Sequence, residues 1–145
     1  MNESFVWRNA VRYLETNGYS VICGCPPGAT SYMYKNCCFV TAGKVDAPDL
    51  VFYKNGILYF CECKGTFSGL HTQNCNNESD FDKLRRIEVA AWSGGLDKQL
   101  DQNFGMLIGV IREFRSCVSY FGPLGSPIEG CHQIAVTKVG CVSDL

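Results

Sequence analysis

The sequence predicts an α/β fold in which a central β-sheet is flanked by helices. Three observations predict it: an amphipathic helix near the start of the chain, a β-hairpin in its middle, and a second helix followed by further strands. The chain has 145 residues, of which 46% are hydrophobic and 19% charged. That length and composition are typical of a globular domain with a substantial core. Since no repeat or long linker divides the chain, we expect a single domain over residues 1–145.

The first helix is expected from Ser4 to Asn17, where Asn17-Gly18 forms a helix stop. Apolar side chains at helical spacing give it one hydrophobic face, formed by Phe5, Val6, Ala10, Tyr13 and Leu14. Residues 19–25 then read as a buried first strand. A loop is expected over residues 26–38, and residues 39–43 are expected to form a short strand.

A β-hairpin is expected next. Residues 49–53 and 57–64 are strand-like runs, and Lys54-Asn55-Gly56 joins them. Asn-Gly is the strongest short-range hairpin signal, because both positions of its turn favour a positive φ. The hairpin therefore places the Asp49 strand beside the Glu62 strand.

The second half of the chain predicts a helix and then strands. A polar loop precedes Ser79, which has Asp82 three residues later and is expected to cap a helix. The apolar face of that helix comprises Phe81, Leu84, Ile87, Ala91 and Trp92. Residues 93–95 are expected to break the helix, and residues 96–103 to continue it. A buried strand is expected at 104–114, followed by residues 116–122, a Gly/Pro loop and a last strand at 132–140.

Charged residues interrupt the apolar second strand of the hairpin. Because alternate side chains of a strand share a face, Glu62 and Lys64 lie side by side. Cys61 and Cys63 point to the opposite layer. Asp49 is expected to meet Glu62 at the open end of the hairpin, so two carboxylates converge beside an ammonium group. Such hard oxygen ligands suit Mg²⁺ or Mn²⁺, and a neighbouring lysine can orient or deprotonate a water or stabilise a phosphate.

The stretch "APDL…CECK" resembles the PD-(D/E)xK signature of a phosphodiesterase superfamily that includes restriction endonucleases and Holliday junction resolvases. Pro48-Asp49 corresponds to the PD element and Glu62-Cys63-Lys64 to the ExK element. The element order is also similar to the superfamily's α-β-β-β-α-β core, roughly over residues 3–110. The resemblance implies a restriction endonuclease-like fold with a central mixed sheet, and a metal-dependent nuclease, specifically an endonuclease.

The same resemblance implies roles for individual residues. Asp49 and Glu62 would bind the divalent metal with the backbone carbonyl of Cys63, and Lys64 would act on the water. Glu3 is the candidate for an additional acid from the first helix, ahead of Glu15. Gln99 is similar in position to a polar residue that faces the phosphate in many members.

A basic run adds candidates for nucleic-acid contacts. Lys83, Arg85 and Arg86 stand at the start of the helix that follows the motif. They form either a solvated helix face or a patch that contacts phosphates beside the active site. The formal net charge of -1 argues mildly against a large non-specific DNA surface without excluding a local basic groove.

Partners and compartment follow from composition. The chain has ten cysteines, no signal-like segment and no apolar run of the roughly 20 residues that a membrane helix needs. We expect mostly free thiols in a cytoplasmic or other intracellular, reducing compartment, no secretion and no membrane contact. The expected partner is DNA or RNA, and a homodimer is plausible because duplex cleavage usually needs two active sites.

Three alternatives stay open. Glu62 and Lys64 could belong to a solvated hairpin face that carries only a cross-strand ion pair. The chain could also be a catalytically inactive nucleic-acid-binding or assembly protein with the same fold. Finally, its Cys and His residues could form a zinc-binding interaction domain, although their spacing is poor for structural zinc.

Overall fold

The fold is mixed α/β, with a six-stranded mixed sheet and helices. The computed structural model describes residues 1–24, 39–41, 44–46, 48–73, 77–104, 115–140 and 142–144. The helices are α1 (Glu3–Thr16), α2 (Asp80–Ser93) and α3 (Leu96–Phe104), and a 3₁₀ turn spans Ser68–Leu70. The strands are β1 (Ser20–Gly24), β2 (Phe39–Thr41), β3 (Lys44–Asp46), β4 (Leu50–Lys54), β5 (Ile57–Cys63), β6 (Arg115–Gly122), β7 (Cys131–Val136) and β8 (Val142–Asp144).

The large sheet has the strand order β1-β4-β5-β6-β7-β8. Its first three strands pair antiparallel, β5 and β6 pair parallel, as do β6 and β7, and β8 returns antiparallel. Parallel neighbours need a crossover connection, and the segment between β5 and β6 carries α2 and α3. The carboxyl end of β5 therefore lies close to the start of α2.

The predicted hairpin is confirmed. Lys54 pairs with Ile57, and the turn residues Asn55 and Gly56 both have positive φ, at 51° and 79°. That conformation is the one a two-residue turn of the Asn-Gly kind adopts. The first strand of the hairpin, β4, starts at Leu50, so Asp49 lies one residue before it.

Helix α1 covers one face of the sheet. Asn2 caps it by accepting hydrogen bonds from the backbone N–H groups of Ser4 and Phe5. Of the predicted apolar face, Val6, Ala10 and Leu14 are buried, while Phe5 and Tyr13 are partly buried and pack against the core. Trp7 and Val11 are buried as well, so the buried face of the helix is broader than predicted. The core on this side contains Tyr59, Cys61, Cys63, Leu50 and Phe52.

Helix α2 covers the other face. Ser79 caps it as predicted, accepting from the Asp82 N–H at 3.1 Å. Leu84, Ile87 and Ala91 are buried with Leu58 and Phe60 in a second core. The expected core position of Trp92 is wrong: its side chain is 42% exposed, and its indole N–H donates to Ser116 Oγ. The expected break follows at Gly94-Gly95, and α3 continues from Leu96.

Three strands depart from the sequence prediction, among them β8 (Val142–Asp144), which follows the strand predicted as the last one and pairs with β7. The last strand, expected over 132–140, ends at Val136, since a turn closes at Gly140 with a φ of 84°. Residues 44–46 form β3, which the sequence analysis missed, and β3 pairs with β2 in a separate two-stranded sheet. The strand expected over 104–114 lies outside the described residues except for Phe104, which belongs to α3. Among the helices described, none is long and apolar enough to cross a membrane.

Candidate active site

Asp49 is fixed where the hairpin opens. Leu50 pairs with Cys61, so the next residue along each strand places Asp49 opposite Glu62. The Asp49 carboxylate accepts a 2.9 Å hydrogen bond from the Cys63 backbone N–H, and its own carbonyl accepts from the Trp7 indole at 3.1 Å. Strand β5 and helix α1 therefore both hold this residue in place.

Glu62 is a buried carboxyl beside Asp49. Its side chain is only 5% exposed, whereas Cys61 and Cys63 point into the core under α1, as the alternation predicts. Burial raises the pKa of Glu62 well above its ordinary value, and the neighbouring Asp49 raises it further. Burial also raises the pKa of Asp49, although hydrogen bonds from Glu62 and the Cys63 backbone oppose the effect. The two acids thus share a site in which both cannot easily be ionised without a cation.

Lys83 reaches this pair from α2. Its Nζ lies 2.9 Å from Glu62 Oε1, as a close charge contact that does not have hydrogen-bonding geometry. Among the residues that the structure describes, the buried Glu62 Oε1 therefore has no hydrogen-bond partner. Burial lowers the pKa of Lys83, but the negative charges of Glu62, Asp80 and Asp49 outweigh burial and raise it overall.

Lys64 makes a second set of contacts next to this pair. The two sets join six charged side chains in one cluster: Glu3, Asp49, Glu62, Lys64, Asp80 and Lys83. Lys64 Nζ lies 2.5 Å from Asp80 Oδ2 and 3.2 Å from Glu3 Oε1. Burial lowers its pKa, but Asp80 and Glu3 more than compensate, so the pKa of Lys64 is raised. Its backbone is held by β6, because the Lys64 N–H donates to the Phe121 carbonyl at 3.0 Å. Gly122 permits this approach, since a Cβ there would stand 2.7 Å from the Lys64 carbonyl oxygen.

Asp80 connects the two lysines and was missed by the sequence analysis. It is the first residue of α2, directly after the Ser79 cap, where an acid is ordinarily explained by the helix dipole alone. Its Oδ2 faces Lys64 and its Oδ1 lies 3.6 Å from Lys83. The crossover that brings the start of α2 to the end of β5 is a tertiary feature, so the sequence carries only the weak signal of an acid beside a cap.

The candidate acid from α1 does reach the cluster. Glu3 stands in the first turn of that helix and contacts Lys64. Glu15, the less favoured candidate, is exposed near the other end of α1. Glu3 thus lies in the surroundings of the site, and its role as a metal ligand stays a prediction, as does that of the Cys63 carbonyl.

The other residues predicted to contact nucleic acid make their contacts away from the carboxylate pair. Arg86 pairs with Glu78 through two nitrogens, at 2.8 and 3.1 Å. Arg85 lies over the Phe81 ring and donates to the Glu129 carbonyl. Gln99 donates to the Gly94 carbonyl at the corner between α2 and α3. Of the basic run, the structure brings Lys83 to the carboxylates, and phosphate contacts by Arg85, Arg86 and Gln99 stay predictions.

A cleft of about 480 Å³ opens beside Lys64. Polar side chains line it, among them Glu3, Lys64, Thr66, Gln73 and Asp80. That volume is in the range that accommodates a small ligand or part of a larger one. Lys64 and Asp80 connect the cleft to the carboxylate pair through Lys83, so the cleft presents one ammonium group together with the carboxylates of Glu3 and Asp80.

The donor set is compatible with Mg²⁺ or Mn²⁺. In the described part of the chain, no group of three or more His, Cys, Asp and Glu side chains is arranged to hold a metal ion. Mg²⁺, however, commonly takes only one or two protein carboxylates and completes its shell with water and phosphate oxygens. The cluster contains four carboxyl groups and two ammonium groups, so full ionisation leaves a charge of 2 − 4 = −2, which one divalent cation would balance.

Comparisons with known proteins add no relative. The chain matches no family model, no curated protein and no solved structure. The geometry and chemistry of the charged cluster are therefore the features of the molecule that indicate a function.

Proposed function

We propose that the protein is a divalent-metal-dependent nuclease with a restriction endonuclease-like core, and that it belongs to the PD-(D/E)xK superfamily. The observation that carries the proposal is the Asp49–Glu62 pair at the open end of a hairpin, in which Glu62 is buried, Asp49 is half-buried and Lys83 contacts Glu62. Buried acids are costly without a cation, so a site built this way has a reason to bind one. The helix, antiparallel strands β1, β4 and β5, crossover helix and parallel β6 support the core assignment.

Asp49 and Glu62 would hold the metal in this proposal. A bound Mg²⁺ or Mn²⁺ supplies polarisation of a phosphoryl oxygen and lowers the pKa of its water ligand. The backbone N–H of Cys63 and the indole of Trp7 keep Asp49 oriented before any ligand arrives. Such preorganisation avoids reorganisation during the reaction.

Lys64 would act as a cation and hydrogen-bond donor. Its raised pKa keeps the side chain protonated at neutral pH, so it donates to a phosphate oxygen or to the attacking water and does not remove a proton from it. Water would add to phosphorus as the P–O bond to the leaving nucleotide oxygen breaks, with the proton of the water passing to solvent and the leaving oxygen taking up a proton from solvent. A phosphate bound in the cleft would place its developing negative charge beside the Lys64 ammonium, which lines the cleft.

The test is a cleavage screen over single-stranded, duplex and branched DNA and RNA with Mg²⁺ and Mn²⁺. We expect cleavage of at least one substrate, lost on adding EDTA. Asp49→Ala, Glu62→Ala and Lys64→Ala should each abolish it. Activity that survives all three substitutions would refute the proposal. Sedimentation in the same buffers tests the predicted homodimer.

A second candidate is a nucleic-acid-binding protein with the same fold and no activity. The observation that favours it is that lysines already lie at ion-pair distance from Glu62 and Asp80. Such a protein would bind nucleic acid in the screen without cutting it. It would also show no Mn²⁺ site that disappears on substituting Asp49.

A further inference from the structure

Lys83 stands in the position where the carboxylate pair needs positive charge. Its Nζ lies 2.9 Å from Glu62 Oε1, which has no hydrogen-bond partner within the described part of the chain, and the Lys83 side chain is 22% exposed. Glu62 is almost fully buried, and among the described residues the Lys83 ammonium is the positive charge in direct contact with it. A cation beside both acids offsets much of the cost of burying them.

A second acceptor for the same ammonium lies one helical turn away. Asp80 Oδ1 is 3.6 Å from Lys83 Nζ, and the two residues are three apart on α2. Residues at that spacing are neighbours on the helix surface, and the lysine stem is flexible. Lys83 can therefore leave Glu62 and remain paired with Asp80 without any movement of the backbone.

We propose that Lys83 is a displaceable counter-cation of the metal site. In the metal-free protein Lys83 neutralises Glu62. When a divalent ion binds Glu62, the Lys83 ammonium moves away from Glu62 and pairs with Asp80. Lys83 is thus a positioning residue that sets metal affinity by competing with the ion for the same carboxylate. The metal-binding half of this inference rests on the proposed function, whereas the pairing of Lys83 with Glu62 does not.

The first experiment uses the metal-free protein. Lys83→Met should lower the melting temperature, because it leaves Glu62 buried without its cation. In a Glu62→Gln background the same substitution should have a much smaller effect, since the charge is gone. Lys98→Met is the matched control: Lys98 is exposed on α3, and its removal should leave the melting temperature nearly unchanged. Equal losses from Lys83→Met in both backgrounds would overturn the pairing.

The second experiment measures Mn²⁺ binding by calorimetry at low ionic strength. Lys83→Met should bind Mn²⁺ about tenfold more tightly than the parent protein, the factor expected when a competing charge contact of ordinary strength is removed. Lys98→Met should bind like the parent. Asp80→Asn should weaken binding in the parent, and clearly less in the Lys83→Met background, because it removes the acceptor for the displaced ammonium.

The outcomes separate the two proposals. If the parent binds Mn²⁺ and Lys83→Met binds it equally or more weakly, the displacement is wrong and the nuclease proposal stands. If neither protein binds Mn²⁺, the metal site and the displacement both fail, while the melting-temperature cycle still decides whether Lys83 neutralises Glu62. Neither the melting-temperature measurement nor the Mn²⁺ titration requires cleavage activity.

Discussion

The two ends of strand β5 offer cavities of similar size and different chemistry. The cleft at the carboxyl end has a volume of about 480 Å³, and the cavity at the amino end about 500 Å³. The amino-end cavity is lined by thiols, an aromatic ring and a histidine together with Arg85 and Glu88. His132 there lies over the Tyr59 ring and hydrogen-bonds with Ser119 Oγ.

The difference between the ends lies in how charge converges. At the amino end, burial raises the pKa of the Cys131 thiol to about 12, so the thiolate is disfavoured. At the carboxyl end, charged side chains from α1, the hairpin and α2 meet within ion-pair distance. The two ends of β5 therefore cannot be distinguished by the presence of a cavity. They differ because carboxylates and ammonium groups form ion pairs at the carboxyl end.

The largest effect is expected from the carboxylate pair. Asp49→Asn and Glu62→Gln keep the shape of the side chains but remove the charge that would hold the metal. Metal-dependent cleavage should fall by at least ~100-fold in each, in the range found for losing one group that stabilises transition-state charge. Initial rates on the best substrate of the screen measure it. Near-parental rates in both variants would show that the active site is not at the carboxyl end of β5.

The next largest effect is expected from Lys64. Lys64→Met should lower the cleavage rate by about 100-fold or more, because it removes a donor to the reacting groups. Mn²⁺ affinity should not weaken, since Lys64 contacts Asp80 and Glu3 and does not hold the metal. Rates and calorimetry on the same preparation separate the two quantities. A loss of metal binding with the loss of rate would contradict the role given to Lys64.

A pH dependence of stability should follow from Glu62. Its pKa is higher in the folded protein than its ordinary value of 4.5, so the folded state binds more protons above that pH. The free energy of unfolding of the metal-free protein should therefore decrease as pH rises from about 5 towards 8. Asp49 contributes with the same sign, and the neighbouring lysines stay protonated across this range.

Glu62→Gln should flatten that decline, because it removes the group that titrates. Mn²⁺ should offset the decline in the parent protein, since it binds the deprotonated acids. Melting temperatures over this pH range, with and without Mn²⁺, provide the test. Identical slopes for parent and Glu62→Gln would show that Glu62 has no raised pKa in the folded state.

The smallest effect is expected at the amino end of β5. Cys131→Ser changes a thiol that lines the amino-end cavity and lies on β7. Cleavage should stay within about twofold of the parent, as for substitutions remote from a functional feature. A large loss of activity, in a variant whose melting temperature is unchanged, would show that the amino end takes part in function.

The sequence was informative about the hairpin and the pair of acids. Asn55-Gly56 and the alternation along β5 were enough to place Asp49 opposite Glu62 and to direct the cysteines to the other face, because both depend on local geometry. The contacts of α2 could not be read in the same way. That Asp80 and Lys83 reach β5, whereas Arg85 and Arg86 turn elsewhere, depends on how the crossover places one helix against the sheet.

The central claim is that Asp49 and Glu62 form a divalent metal site, and a Mn²⁺ titration by calorimetry tests it most directly. The parent protein should show a saturable site, and Asp49→Asn should lose it while keeping its fold, as followed by circular dichroism. Asp101→Asn, at an exposed acid on α3, is the matched control and should bind like the parent. Equal Mn²⁺ binding by the parent and Asp49→Asn, or no binding by the parent, would contradict the claim.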